Sequence, residues 1–374
     1  MKRNARHLAG ASLAALSLLA VAACGGEGSG SDGGDVTLRF WHHTYPPADA
    51  IIQEAIAAYT DENPGVTIEF EDIPAGTYNT RLSSAIATDD APDIINLLDF
   101  AMPGYQSTLA PAPPEVFGAE SVDEIEEMYS PGALDGLVLD GELYMVPEEL
   151  NTMALFLNKE IFAEAGLDAE DPENWPETWD ELFALSAELT DESTGQVGFN
   201  WVWNLDPFWY AQQYQPILNQ YGCEVIDDDG NAAIDSPECV QAFEETWERP
   251  ITEGTGGPSV GQSNEVNGLQ TFSDGDQAMA LGGPWAPSSF SDEMKENYAV
   301  APTPQLNPDE PVTMLYTYGL SVSAASEHPD EAWKFLKYLT SEYSDQYLAE
   351  AGYITGLNGW SESDAAQDLI GLDV

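Results

Sequence analysis

Strand-like and helix-like segments alternate without interruption from Val36 to Leu98, and this alternation constrains the fold more than any other feature of the chain. Val36-Thr37-Leu38-Arg39-Phe40-Trp41 is β-branched and aromatic, a composition suited to a strand. After Pro46-Pro47, residues Ile51, Ile52, Ala55, Ile56 and Tyr59 fall at helical spacing. The turn Asn63-Pro64-Gly65 leads into Val66-Thr67-Ile68-Glu69-Phe70, a second strand by alternation. Tyr78 to Ala87 reads as a helix, and Pro92-Asp93-Ile94-Ile95-Asn96-Leu97-Leu98 as a buried strand. Such a βαβαβ rhythm predicts a parallel, doubly wound sheet flanked by helices.

A second α/β unit begins near Asp180, where Leu182, Phe183, Leu185, Ser186 and Leu189 form an amphipathic pattern and Thr178 with Glu181 makes a capping box. Pro329-Asp330-Glu331 opens a later helix, with Ala332, Phe335, Leu336 and Leu339 on one face and Lys334 and Lys337 on the other. No repeat of solenoid period occurs. About 340 residues follow the N-terminal leader, more than one hydrophobic core usually organises, so two lobes are expected.

The leader itself is basic at Lys2, Arg3 and Arg6, then apolar from Leu8 to Ala23. It fits a secretory signal and is short for a membrane span. Val21-Ala22-Ala23-Cys24 resembles a bacterial lipobox, which implies a signal peptide over 1–23 and a diacylated Cys24; the plainer alternative is an ordinary signal peptide with an incidental cysteine. Residues 24–34, rich in glycine and serine, read as a flexible tether. Beyond them no apolar run approaches the ~20 residues needed to cross a bilayer. The body is therefore expected at the outer face of the cytoplasmic membrane, held by lipid.

Acidic residues number 66 against 10 Lys and Arg, for a formal net charge of −56. Outside the leader only Arg39, Arg81, Lys159, Arg249, Lys295, Lys334 and Lys337 are cationic. Nucleic acid and bare anionic lipid should repel such a chain. The acids are scattered (Asp123, Glu124, Glu126, Glu127; Asp168, Glu170, Asp171, Glu173) rather than gathered in a tail. An acidic skin of this kind suits a saline exterior, where counterions screen it, or serves solubility alone. Cys223 and Cys239, in an exported chain, are expected to pair across the Asp227-Asp228-Asp229-Gly230-Asn231 turn, closing a short loop worth about 3 kcal/mol.

Four further stretches resemble family 1 extracellular solute-binding proteins of sugar ABC importers, the class to which maltose-binding protein belongs. They are the opening strand and helix with Asn63-Pro64-Gly65-Val66; Tyr144-Met145-Val146-Pro147 through Leu157-Asn158-Lys159-Glu160-Ile161-Phe162; Gln277-Ala278-Met279-Ala280-Leu281-Gly282-Gly283-Pro284-Trp285; and Tyr298-Ala299-Val300-Ala301-Pro302 followed by Ser326-Glu327-His328-Pro329-Asp330-Glu331-Ala332-Trp333. They occur in the family's order between Val36 and Gly352. The resemblance implies an α/β two-lobe clamshell, each lobe a mostly parallel sheet flanked by helices, with several hinge crossings. The first lobe would comprise 35–149 and 301–340, the second 150–300 and 341–374. At its end the chain departs from the pattern, Tyr353-Ile354-Thr355-Gly356 replacing a proline-bearing turn.

The resemblance also nominates residues for a ligand in the interlobe cleft. Trp285 would present its ring to a pyranose face. Asn151, seven residues before Asn158, would bind hydroxyls with an amide that both donates and accepts. Asp206 and Phe208 match an acid-proline-aromatic element, and Asp99 follows a buried strand where hydroxyl-binding acids are common. His43 and Tyr45 after the first strand, and Tyr316 and Tyr318 before Gly319, are nominated by location. Core packing is the competing role for each aromatic, and Trp201, Trp203 and Trp209 fit either a wall of the site or the lobe interior.

The function implied is capture of a neutral mono- or oligosaccharide by a monomeric, lipid-anchored receptor and its delivery to the permease's transmembrane subunits, with no cofactor or metal. A cationic solute such as a betaine or polyamine is the nearest alternative, since aromatic rings and carboxylates also cage cations. A glycoside hydrolase would need two carboxyls facing each other across the bond. No nucleophile elbow, metal-spaced histidine set or phosphate loop supports an enzyme. Sugar phosphates fit poorly with so few Arg and Lys.

Overall fold

A computed structural model describes residues 35–202, 209–227, 229–253 and 268–366. Strand β1 (Val36–His43) enters helix α1 (Pro46–Glu62), and β2 (Val66–Ile73) leads through α2 (Ala75–Ala87) to β3 (Ile94–Leu98). Proline in the first turn of α1 removes an N–H that would have no intrahelical acceptor, so the helix starts there at no cost. Ala48, Ile51, Ile52, Ala55 and Tyr59 form its buried stripe. Strand β4 (Leu109–Ala110), the hairpin β5 (Val138–Leu139) and β6 (Glu142–Leu143), and β7 (Val146–Asn151) follow.

The chain then crosses at Thr152-Met153 into β8 (Ala154–Asn158), α3 (Lys159–Glu164), α4 (Trp179–Leu189), β9 (Val197–Phe199), β10 (Gln277–Gly282) and β11 (Tyr298–Ala301). It returns through residues 302–315 to β12 (Tyr316–Ser323) and α5 (Pro329–Glu342). The Thr152 and Thr313 hydroxyls, 2.8 Å apart, tie the two crossings together. At the start of α4 the Thr178 hydroxyl accepts from Glu181 N while the Glu181 carboxylate accepts from Thr178 N, the reciprocal cap that the Thr-x-x-Glu spacing predicts.

Two sheets result. One has the order β2-β1-β3-β12-β4, with β7 also on β12; the other has the order β11-β8-β10-β9. Strand β1 is parallel to β2 and β3, as the βαβαβ rhythm predicts. The expectation of mostly parallel sheets needs correction beyond that unit. Strand β12 is antiparallel to β3, β4 and β7, and β8 is antiparallel to β10 and β11, leaving β10 with β9 as the parallel pair of the second sheet. The reason lies in the crossings: β8 and β12 are the strands by which the chain enters each lobe from the hinge. They run against neighbours that head toward it.

Each sheet has its own core. Phe40, Ile52, Ile95, Trp333 and Phe335 belong to the first, and Phe156, Phe183, Phe199, Trp201 and Phe272 to the second. Trp201 is fully buried between Trp179, Phe199 and Trp247, with ring centroids 5.5, 4.9 and 5.8 Å away, so its role is packing. Cys223 and Cys239 form a disulfide inside the second core.

The tail after position 340 does not follow the expected assignment to the second lobe. Tyr347, Ala351 and Tyr353 pack in the first core. Leu150 N donates to Ile354 O at 2.6 Å, Ser130 N to Gly356 O at 2.8 Å and Asn358 N to Met128 O at 2.9 Å. Gly352, at φ 71°, terminates the turn after α5 in the left-handed conformation and folds the chain back onto the lobe it has just left.

Candidate functional site

In open α/β sheets ligands bind beyond the carboxyl ends of strands. Here the carboxyl ends of β1, β7 and β10, the amino end of the antiparallel β12, and the tail converge on a cavity of about 200 Å³. His43, Thr44 and Tyr45 reach it from the end of β1, Glu149 from β7, Tyr316 and Tyr318 from β12, Trp285 and Ser288 from the segment after β10, and Tyr353 from the tail.

The rings are held at their edges and faces by one another. Trp285 Nε1–H donates to the Tyr316 hydroxyl at 2.9 Å, and its ring meets Trp209 edge-on at 5.7 Å. Gly283 permits that approach, because a Cβ there would lie 2.4 Å from Trp285 Nε1 and 2.9 Å from the Tyr316 hydroxyl oxygen. Tyr45 stacks on Tyr353 at 5.0 Å and 13°, Tyr353 on Tyr347 at 6.0 Å and 12°, and the Tyr45 hydroxyl donates to Ala351 O. His43 stacks on Tyr318 at 4.2 Å and 26°.

Polar order comes from behind the cavity. His42 Nδ1 lies 3.0 Å from Asp49 Oδ1, and His42 Nε2 lies 2.9 Å from Glu148 Oε2, all three groups being buried. Both ring nitrogens thus face carboxylate oxygens. Burial alone would lower the His42 pKa, but Glu148 and Asp49 raise it to about 9, so the ring is an imidazolium at neutral pH. Glu148 further accepts from Asn96 Nδ2 at 3.0 Å and from the Tyr347 hydroxyl at 2.9 Å. His43 is pushed the other way, to about 4, by burial and by the charge on His42. Burial and then the neighbouring Glu148 charge push the Glu149 carboxyl up to about 8, although Asn151 and Tyr353 lie near enough to favour its ionised form. The site therefore offers a protonated, donating carboxyl at neutral pH, and its Oε2 has no hydrogen-bond partner.

The cavity brings together five of the nominated residues: His43, Tyr45, Trp285, Tyr316 and Tyr318. Asn151 lies behind them in β7, paired in register with Tyr316 and 1% exposed, with neither side-chain atom in a hydrogen bond of good geometry. Asp99 opens instead onto a neighbouring cavity of about 330 Å³ shared with Asp135 and Thr317. There its carboxyl accepts from Thr317 N, and burial raises its pKa to about 6 despite hydrogen bonds from the backbone. Asp206, Phe208 and Trp203, like Cys24, lie outside the described residues.

Glu149, Ser288 and Tyr353 were not anticipated. Glu149 had a signal, standing two residues before Asn151 in a strand, where alternate residues share a face. Among the described residues no cluster of three or more His, Cys, Asp or Glu is placed to hold a metal ion, and no helix is long and apolar enough to cross a membrane.

Comparison with known proteins agrees with this architecture. The chain is 27% identical over 356 residues to a binding protein of Brucella abortus (strain 2308), covering 91% of this chain and 79% of the relative. It is 25% identical over 345 residues to the lactose-binding protein of Rhizobium radiobacter, covering 89% and 78%. The GacH receptor of Streptomyces glaucescens GLA.O, solved unliganded and with acarbose, superposes with a TM-score of 0.74 at 23% identity, covering 89% of this chain and 83% of that one. The two-lobe binding-protein fold is shared with that receptor. The model of the bacterial extracellular solute-binding protein family matches residues 44–344, and the chain belongs to that family.

Proposed function

We propose that this protein is the ligand-capturing receptor of an ABC importer and binds a neutral saccharide in the aromatic cavity. One observation carries the reading: residues from the first lobe (His43, Tyr45), the crossing strand (Tyr316, Tyr318) and the second lobe (Trp285, Ser288) line one cavity of about 200 Å³. A ligand touching all three would favour the closed arrangement of the lobes, which is how a binding protein reports occupancy to a permease. That volume lies below the ~300–1,000 Å³ of drug-sized sites and suits a single sugar ring, alone or at the end of a longer saccharide. Carbohydrate C–H faces stack on electron-rich rings, and the hydroxyls find donors and acceptors in Glu149, Ser288 and His43.

A cation fits less well. The cavity has the rings of a cation cage, yet burial raises its one lining carboxyl, Glu149, to about 8, so that group is mostly neutral at neutral pH and offers a cation little charge. Hydrolysis fits less well again, because Glu149 is the one carboxyl among the described residues lining the cavity, where a glycosidase needs two. Export by the leader and acylation of Cys24 would hold the receptor beside its permease. The lactose-binding relative and the acarbose-bound receptor support the ligand class.

The test is a thermal-shift screen, followed by calorimetry, of neutral saccharides, sugar phosphates, betaines and polyamines. A saturable shift with neutral saccharides alone is expected, and Trp285→Ala should weaken binding at least tenfold, about 1.4 kcal/mol, while leaving the fold intact. A shift confined to betaines or polyamines would overturn the ligand, and unchanged affinity in folded Trp285→Ala would remove that ring from the site.

A further inference from the structure

The hydrogen-bond partners of Asn96 determine which way its amide faces. Its Nδ2 is 3.0 Å from Glu148 Oε2 and 3.3 Å from Gly319 O, two groups that only accept. Turning the amide over would set its own oxygen against a carboxylate and a carbonyl, leaving buried groups unsatisfied. Asn96 Oδ1 therefore faces His43 Nδ1, and an amide oxygen accepts, so Nδ1 must carry the proton. Burial, and then the imidazolium of His42 4.7 Å away between ring centroids, keep the His43 ring from taking a second proton. Tyr318 covers one face of that ring. The edge bearing Nε2 remains for the cavity that His43 lines, and Nε2 has no protein partner among the described residues.

We propose that Asn96 and Glu148 are positioning residues that lock His43 as its Nδ1–H tautomer, so that the site presents a fixed acceptor at His43 Nε2 and takes ligands that donate a hydrogen bond there. This rests on the proposed site and narrows its ligand class. A saccharide hydroxyl donates; a quaternary ammonium such as glycine betaine has no N–H and meets a lone pair it cannot use. Asn96 and Glu148 touch no ligand and act through His43.

The tautomer can be read in the ligand-free full chain by two-bond ¹H–¹⁵N correlation of ¹⁵N-histidine-labelled protein at pH 7, with His43→Gln to assign the ring. The expected pattern for His43 is a protonated Nδ1 beside a bare Nε2, with both nitrogens of His42 protonated. Asn96→Leu, close in volume, removes the acceptor at Nδ1 and should let the Nε2–H tautomer of His43 appear, turning its acceptor into a donor. A protonated Nε2 on His43 in the natural chain would overturn the proposal, as would a His43 spectrum in Asn96→Leu identical to that of the natural chain. Saturable binding of glycine betaine in the aromatic cavity, abolished by Trp285→Ala, would overturn the requirement for a donor. Because the tautomer is read without ligand, failure of the saccharide screen alone leaves this result standing and counts against the proposed function only.

Discussion

The two lobes bury different kinds of residue. Behind its sheet edge the first lobe encloses His42, His43, Asp49, Glu148 and Glu149, whereas the polar groups buried in the second, among the described residues, are neutral: Asn158, Asn200, Gln212, Gln213 and Gln277 among them. The second lobe is held by aromatic packing around Trp201 and by a disulfide. Buried charge is expensive unless it is paired and hydrogen-bonded. The first lobe bears that cost where the network orients a side chain lining the cavity, and the second lobe supplies a ring plate, Trp285, held by packing and by a hydrogen bond to the Tyr316 hydroxyl.

The comparison breaks most severely if one partner of the buried ion set is removed. Glu148→Leu leaves the His42 charge facing Asp49 alone, takes one of two acceptors from Asn96 Nδ2 and orphans the Tyr347 hydroxyl, so it should cost roughly 3–5 kcal/mol in chemical denaturation. A loss under 1 kcal/mol would mean the network is not formed. Next in size, replacing Cys223 and Cys239 together by serine should cost about 3 kcal/mol in the stability of the second lobe, read by denaturation followed through its tryptophans. The first lobe should not respond to it.

Stability against pH sharpens the contrast further. His42 rises from 6.5 to about 9 on folding, so its contribution is complete below pH 6.5 and is lost as pH climbs through 9. Glu149 rises from 4.5 to about 8, so its contribution is complete below 4.5 and is lost as pH climbs through 8. His43 falls from 6.5 to about 4, and its contribution, complete above 6.5, is lost as pH drops through 4. Melting curves at constant salt should therefore decline from near pH 6.5 toward pH 9, by up to the order of 3 kcal/mol for His42, with the loss confined to the first lobe. A second-lobe transition that moves in parallel would contradict the assignment. The smallest effects are expected at exposed ion pairs in either lobe, Arg39 with Asp90 and Lys159 with Glu170. Neutralising Asp90 or Glu170 should change stability by less than about 1 kcal/mol, because exposed pairs are solvated in both states.

Much of the fold was legible because its signals are local. The βαβαβ run, the Thr178 and Glu181 cap, and the two-faced helix beginning at Pro329 each depend on residues within a few positions of one another. The cysteine pair was legible for a similar reason, with a separation of 16 residues and a turn between. Of the five nominated cavity residues, His43, Tyr45, Tyr316 and Tyr318 could be named from their places beside strands, where such folds place ligands, and Trp285 from the family resemblance of the segment it ends.

What escaped the sequence was long-range. In a chain with 66 acidic residues, Glu148 and Glu149 look like two more surface acids. Only tertiary structure buries them, by bringing Glu148 against His42, 106 positions away, and Tyr347, 199 positions away. The tail showed the same limit, since nothing near Tyr353 states which lobe it will dock on. Periodicity, caps and turn chemistry, being short-range, determined the elements from sequence alone. The burial that turns a carboxyl into a donor and a histidine into an acceptor was decided only when distant segments met, because desolvation belongs to the packed whole.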